Sequence, residues 1–294
     1  MLHRYILHND QIRLASEQLL SAGQVGLLSG WGVFTTIKVV EGVPFAFERH
    51  WARVTRDAAA LRVPLPPDPA AVRRQLLDLI EANRALHCTL RVCVVRNRGG
   101  VWEGPSQDRP YDLIGLTADS KHWGPSAKLA YVKHARHAAS EFAGAKILSW
   151  AMNLTWLESA QARGFDEVIL LNERGEVAEC TSANIFVADG NQVWTPPLSA
   201  GCLPGITREV LLGEIQALGI RIGEKTVFPA DLESADEVFI TSTTRSLLPV
   251  SDIEGKPIGR RDDVRARLDH VFSEFVMRYV AEHRTNPLVP SHSS

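Results

Sequence analysis

The sequence predicts a mixed α/β chain of α+β character, with a smaller N-terminal and a larger C-terminal domain. Three observations lead there. Runs of β-branched residues at strand length alternate with segments whose apolar residues recur at helical spacing. At 294 residues the chain is long enough for one large or two modest domains. A stretch at 119–126 containing Trp123-Gly124-Pro125 interrupts the patterned segments and reads as a linker. The expected division is therefore 1–118, a linker at 119–126, a domain at 127–284, and a polar, Pro-containing and disordered tail at 285–294.

Residues 33–40 are rich in β-branched side chains and predict a strand. Gly42 and Pro44 mark a turn, after which Phe45-Ala46-Phe47 is expected to start a return strand. Trp51, Val54, Ala58 and Leu61 recur at helical spacing and predict a helix over 48–61. Pro64, Pro66, Pro67 and Pro69 punctuate the chain, and a second helix is expected over 70–85, carrying Val72, Leu76, Leu79 and Ile80. Residues 89–95 and 111–117 read as strands, with a loop at 98–105 long enough to border an active site.

In the second half, a helix over 153–163 ends at Gly164. Strands follow over 167–171 and 176–187, joined by a turn at 172–175. Asp189-Gly190-Asn191 signals a hairpin returning through 192–195. A helix is expected over 207–218 with Gly219 as its stop, a buried strand over 238–241, and a closing helix over 264–283. There is no internal repeat.

Composition excludes several function classes. Hydrophobic content of 45% and charged content of 22% are ordinary for a globular protein. A net charge of −2 gives no electrostatic reason for binding nucleic acid or an anionic membrane. The 10 His are scattered without metal-ligand spacing, and Cys88, Cys93, Cys180 and Cys202 form no C-x-x-C pair. No metal site is expected, and the thiols are expected to be reduced. The N-terminus lacks a basic segment followed by a long apolar run, and no stretch approaches membrane-span length, so the expected location is cytoplasmic.

Four pieces of the chain carry chemistry. Lys146 is one of seven lysines against 25 arginines, and it is flanked by small residues and Ile147-Leu148. Such surroundings disfavour the ammonium form and lower the pKa, as a nucleophilic amine requires. Glu179 follows in a strand of small and apolar residues, where a carboxylate needs a partner. Alternation places it with Val177 and opposite Glu176. Gly205-Ile206-Thr207 precedes an amphipathic helix, whose N-terminus suits a phosphate and whose N-cap Thr207 is well suited to be. Thr243 and Thr244, just beyond a buried strand, add hydroxyl and amide donors.

An amine, an acid and two hydroxyl- and amide-rich loops are what an enzyme needs to hold pyridoxal phosphate. Their order resembles the class IV aminotransferases, the fold-type IV pyridoxal-phosphate enzymes, over about residues 32–250. That family includes branched-chain aminotransferases, D-amino-acid aminotransferases and aminodeoxychorismate lyases. The resemblance implies a two-domain fold with pyridoxal 5'-phosphate in the inter-domain cleft, and a homodimer whose partner completes the site. It implies a Schiff base on Lys146 as the catalytic residue, Glu179 on the pyridine nitrogen, and phosphate contacts from Ile206, Thr207, Thr243 and Thr244. Arg53, three residues after His50, resembles the family's phosphate-binding arginine, and a guanidinium fork fits that group.

The subfamily is less sharply marked. Gly32-Val33-Phe34-Thr35-Thr36 resembles the lyases, whereas branched-chain enzymes more often carry an acidic residue and a glycine there. Thr241-Ser242-Thr243-Thr244 and Leu203-Pro204-Gly205-Ile206-Thr207-Arg208 resemble the aminotransferases. Ile147-Leu148-Ser149-Trp150 departs from the family pattern after the lysine, so Trp150 is expected to reshape the substrate pocket. The remaining substrate candidates are Phe34, Thr36, Arg96, Arg98 and Arg245, the arginines as carboxylate ligands. The leading expectation is an aminotransferase acting on small-molecule substrates, L-amino acids and oxo acids, branched-chain ones among them. The alternatives are an aminodeoxychorismate lyase releasing 4-aminobenzoate and pyruvate, a D-amino-acid aminotransferase, or a non-catalytic binding protein on the same fold.

Overall fold

The structure is a computed structural model that describes residues 1–21, 23–100, 109–258, 261 and 263–284. The tail expected at 285–294 lies outside the described residues, as does most of the loop expected at 98–105. The first part comprises β1 (Leu2–His8), β2 (Gln11–Leu14), α1 (Val25–Ser29), β3 (Gly32–Val40), β4 (Val43–Pro44), α2 (Phe47–Ala60), α3 (Pro69–Ala82), β5 (Cys88–Arg96) and β6 (Tyr111–Asp119). Its six strands form an antiparallel sheet in the order β2-β1-β6-β5-β3-β4. The two-residue period of β3 sends Val33, Ile37 and Val39 into a core with Trp51 and Val54 of α2 and Leu76 and Leu79 of α3. Thr35 shares that face, while Phe34 and Thr36 point to the other. Asp68 caps α3 by accepting the Ala70 N–H at 2.8 Å, with Pro69 in the first turn.

Residues 120–126 lead to the second part: β7 (Ala127–Arg136), α4 (Ala151–Ala162), β8 (Glu167–Asn172), β9 (Val177–Cys180), β10 (Asn184–Asp189), β11 (Gln192–Thr195), α5 (Ile206–Gly213), β12 (Arg221–Glu224), α6 (Pro229–Ser234), β13 (Glu237–Ser242), β14 (Ser246–Ile253), β15 (Lys256–Pro257) and α7 (Asp263–His283). These strands form a nine-stranded mixed sheet, in the order β12-β11-β10-β13-β14-β7-β8-β9 with β15 on β14. Ile185 and Ile240 serve a core on one face, and the stacked rings of Phe186 and Phe239, 5.2 Å apart, serve another with α5 and α7. Phe45 joins this second core, edge-on to Phe272, Phe275 and Tyr279. One buried ring of this kind contributes about 1.5–3 kcal/mol, and here it ties the first sheet to the second. The four cysteines are buried and unpaired. No described helix is long and apolar enough to cross a membrane.

Several expectations are corrected. The return strand is only Val43–Pro44, and the segment expected to start it enters α2 through Ala46 at φ 52°. The strand expected over 176–187 is two strands, with a bend at 181–183 between them. Helix α5 stops at Gly213, short of 218, because a glycine costs about 1 kcal/mol in a helix interior. Strands β1, β2, β7, β12, β14 and β15 were not expected. In β14, Pro249 argues against a central strand, yet β14 lies between β13 and β7, with a register shift between Val250 and Asp252.

Candidate active site

A cavity of about 710 Å³ opens where residues of both sheets face each other. Lys146, Glu179, Arg53, Ile206, Thr207, Thr243 and Thr244, predicted across nearly 200 residues of chain, all line it. Phe34, Thr36, Trp150 and Arg245 of the substrate candidates line it as well.

Lys146 sits on a segment stitched to the first sheet. Its carbonyl accepts the Phe34 N–H at 3.1 Å, the Leu148 N–H donates to Gly32 O at 2.9 Å, and Ile147 bridges Val33. Its own N–H donates to Asp57 of α2 at 3.0 Å. Gly144 makes the approach possible: it holds φ 72°, and a Cβ there would lie 2.6 Å from Cys202 O. The Lys146 residue keeps some accessible surface towards the cavity, but protein closely surrounds its amine, which lies 4.5 Å from the Phe34 ring centroid. Burial, aided by the Arg53 charge and opposed by Glu179, lowers its pKa to about 7. The flanking residues had pointed to such a shift.

Glu179 lies on β9, a strand buried at every position. Its Oε1 accepts from Arg136 Nε at 3.1 Å and its Oε2 from the Leu203 N–H at 3.0 Å. Arg136, at the end of β7, is also bonded to Asn153 Oδ1 at 3.3 Å. It was missed because β7 interleaves Lys and Arg with apolar residues and gives no clear strand signal. Alternation had favoured Glu179 inward, but Ala178 is as buried as Val177, so the two faces do not discriminate.

Another part of the lining is rich in donors. Gly205, not Thr207, is the N-cap of α5, and Thr207 lies in the first turn. Gly205 is required, since a Cβ would fall 2.1 Å from Asn184 Oδ1. The first N–H groups of α5, including those of Ile206 and Thr207, have no intrahelical acceptor. Arg53 of α2 is 8% exposed, donates to Thr35 Oγ1 at 3.0 Å and to Pro204 O at 3.2 Å, and leaves its buried Nε unbonded. Thr241 Oγ1, at the end of β13, is likewise buried and unbonded. A guanidinium, a helix N-terminus and hydroxyls, some still unpartnered, form a donor set chemically suited to a phosphate dianion.

The substrate arginines divide. Arg96 does not line the cavity: its guanidinium donates to Arg98 O and Arg62 O, both at 2.6 Å, and stacks 4.0 Å over Trp31. Arg98 is not on the wall either. Arg245 lines the wall, but it is paired with buried Glu167 at 2.9 Å, bonded to Ser182 and packed 3.9 Å over Trp123. Its charge is thereby largely neutralised. A further cavity cation that sequence reasoning missed is Arg91 on β5. It lies directly across from Thr36, and thus on the same sheet face, with its guanidinium 4.7 Å over Phe34. The strand pattern alone carried the signal, as Arg91 alternates with buried Leu90 and Val92.

The amino-transferase class IV family profile matches residues 32–253. A D-alanine aminotransferase of Bacillus licheniformis is 28% identical over 272 residues, covering 86% of this chain and 90% of its own. A branched-chain-amino-acid aminotransferase of Salmonella typhimurium is 25% identical over 282 residues, 91% of each chain. Among solved structures, a T.th. branched-chain amino acid aminotransferase complexed with N-(5'-phosphopyridoxyl)-L-glutamate superposes with a TM-score of 0.84 at 25% identity, covering 95% of this chain and 97% of its own.

Proposed function

The chain belongs to the class IV aminotransferase family, and we propose that it moves an amino group between an amino acid and a 2-oxo acid, using pyridoxal 5'-phosphate held through Lys146. The observation that carries this reading is the juxtaposition, in one cavity, of a buried amine with pKa about 7 and a carboxylate fixed by an arginine.

When bound, the cofactor supplies an electron sink for the charge left on an amino acid that loses its α-proton. The rest falls to the protein. Lys146 would hold the cofactor through its amine, and the same amine, with a substantial neutral fraction at pH 7, would take and return the α-proton. Glu179 would face the ring nitrogen and favour its protonated form, and Arg136 together with the Leu203 N–H keeps its carboxylate oriented. Arg53, Ile206, Thr207, Thr243 and Thr244 hold the phosphate. Phe34, Thr36 and Trp150 shape the substrate side, with Phe34 and Trp150 edge to face at 6.3 Å. Arg91 makes no ion pair with a described residue and offers its charge to a substrate carboxylate. A wall that is apolar at Phe34 and Trp150 and cationic at Arg91 suits an enzyme that alternates branched-chain and acidic substrates.

Exposed apolar residues beside the cavity, Met152 and Leu154 on α4 and Leu28 on α1, suit a homodimer contact. One observation favours a second reading. Lys121 lines the cavity with Arg91, and two cations there also suit a chorismate-derived acid and the lyase reaction.

The test is the visible spectrum of the purified protein with single amino acids and no acceptor. Conversion of the cofactor band by L-leucine, L-glutamate or D-alanine identifies the aminotransferase and its substrate class. An unmoved band that responds to aminodeoxychorismate identifies the lyase. A protein that binds no pyridoxal phosphate rules out both.

A further inference from the structure

Behind the cavity wall lies a polar cluster that the proposed reaction does not use. Thr35 and His50 are each 1% exposed, on the face of β3 that packs against α2. Thr35 Oγ1 lies 2.7 Å from His50 Nδ1 and 3.0 Å from Arg53 Nη2. A guanidinium only donates, so Thr35 Oγ1 accepts from Arg53. Towards His50 the same hydroxyl either donates to Nδ1 or accepts from it, according to the imidazole tautomer. The imidazole keeps its Nε2 buried and unbonded. Burial and the charges of Arg53 and Lys146 push its pKa well below the usual value, in agreement with a neutral ring.

This arrangement has a consequence for Arg53. Its partners are the Thr35 hydroxyl and the Pro204 carbonyl, both neutral. The nearest acid on the same helix, Asp57, has its two oxygens taken by Arg56 and by the Lys146 N–H. Two of the five guanidinium N–H groups are committed, and the charge is not cancelled by a direct ion pair.

We propose that Thr35 and His50 are positioning residues: a neutral hydrogen-bond relay that aims the Arg53 guanidinium at the phosphate end of the cavity while leaving its charge for the phosphate. The inference rests on the cofactor reading above. It predicts that the relay acts on the phosphate alone and not on the ring or on Lys146.

The test titrates the cofactor-free full-length protein with pyridoxal phosphate and, separately, with pyridoxal, which lacks the phosphate. Thr35→Val should weaken pyridoxal phosphate about tenfold and leave pyridoxal unchanged. Thr35→Ser should restore wild-type affinity, and His50→Asn, in which an amide stands near the place of Nδ1, should fall between. Nitrogen NMR of His50 should show a neutral imidazole at pH 7. Equal weakening of both ligands in Thr35→Val would show a merely structural role and overturn the relay, as would a charged imidazolium at pH 7. Failure of the wild-type protein to bind either ligand would remove the cofactor reading itself, which a defect confined to the variants would not.

Discussion

Arg136 Nε and Glu179 Oε1 lie 3.1 Å apart, joining residues 43 positions distant in the chain. The Leu203 N–H holds the other carboxylate oxygen at 3.0 Å, so two elements and a loop converge on one acid. That convergence holds the carboxylate in one orientation at the cavity wall.

Glu179→Gln should retain the cofactor and slow proton abstraction by roughly 10²-fold, since a neutral amide stabilises a protonated ring nitrogen poorly. Arg136→Met should lower turnover less and also destabilise the fold, by about 1–3 kcal/mol, because it leaves a buried carboxylate short of a donor. Single-turnover kinetics and urea denaturation of the two variants and their double mutant separate the effects. Unchanged proton-abstraction kinetics in Glu179→Gln would exclude its assigned role.

Lys146→Ala should abolish covalent attachment of the cofactor and turnover together. Borohydride reduction followed by mass measurement reads the attachment directly. Wild-type turnover in this variant would refute the mechanism.

The Lys146 pKa is about 7 against an ordinary 10.5. The unfolded chain therefore binds the additional proton between those values, and the cofactor-free protein should gain stability from this group as pH rises from about 7 to 10.5. Below pH 7 the group is protonated in both states and stability is insensitive to it. The rate of cofactor attachment should rise up to about pH 7 and level off above it. Denaturation midpoints and stopped-flow attachment rates in Lys146→Met and wild type check the two parts. A wild-type attachment rate still climbing at pH 9 contradicts the lowered pKa.

Gly144→Ala forces a Cβ to within 2.6 Å of Cys202 O at φ 72°. The variant should lose about 1–3 kcal/mol of stability and attach the cofactor more slowly, because the segment that aims Lys146 must shift. Denaturation and attachment rates equal to wild type would show that the turn is permissive.

Arg91→Gln should raise KM for L-glutamate about tenfold and leave KM for L-leucine nearly unchanged, since it removes a charge and little packing. Steady-state kinetics with both donors decide. Equal changes for both would place Arg91 on the carboxylate common to all amino acids.

The residues that act locally were legible in the sequence. Lys146 stood out by its small and apolar flanks together with the acid and the two loops that follow it, α2 and α3 by their apolar spacing, and the Gly205-Ile206-Thr207 turn by its place before an amphipathic helix. These signals follow from rules of short range: helical period, backbone permissiveness and the cost of burying charge. What only the tertiary structure decided were the pairings between distant segments. Arg245 and Arg91 look alike in the sequence, yet one is neutralised by Glu167, 78 positions away, and the other faces the cavity because of the pairing of β3 with β5. The Arg136 contact to Glu179 and the Thr35 contact to His50 and Arg53 arise in the same way. Long-range contacts depend on how elements pack, and no local pattern encodes which polar groups will meet when they do.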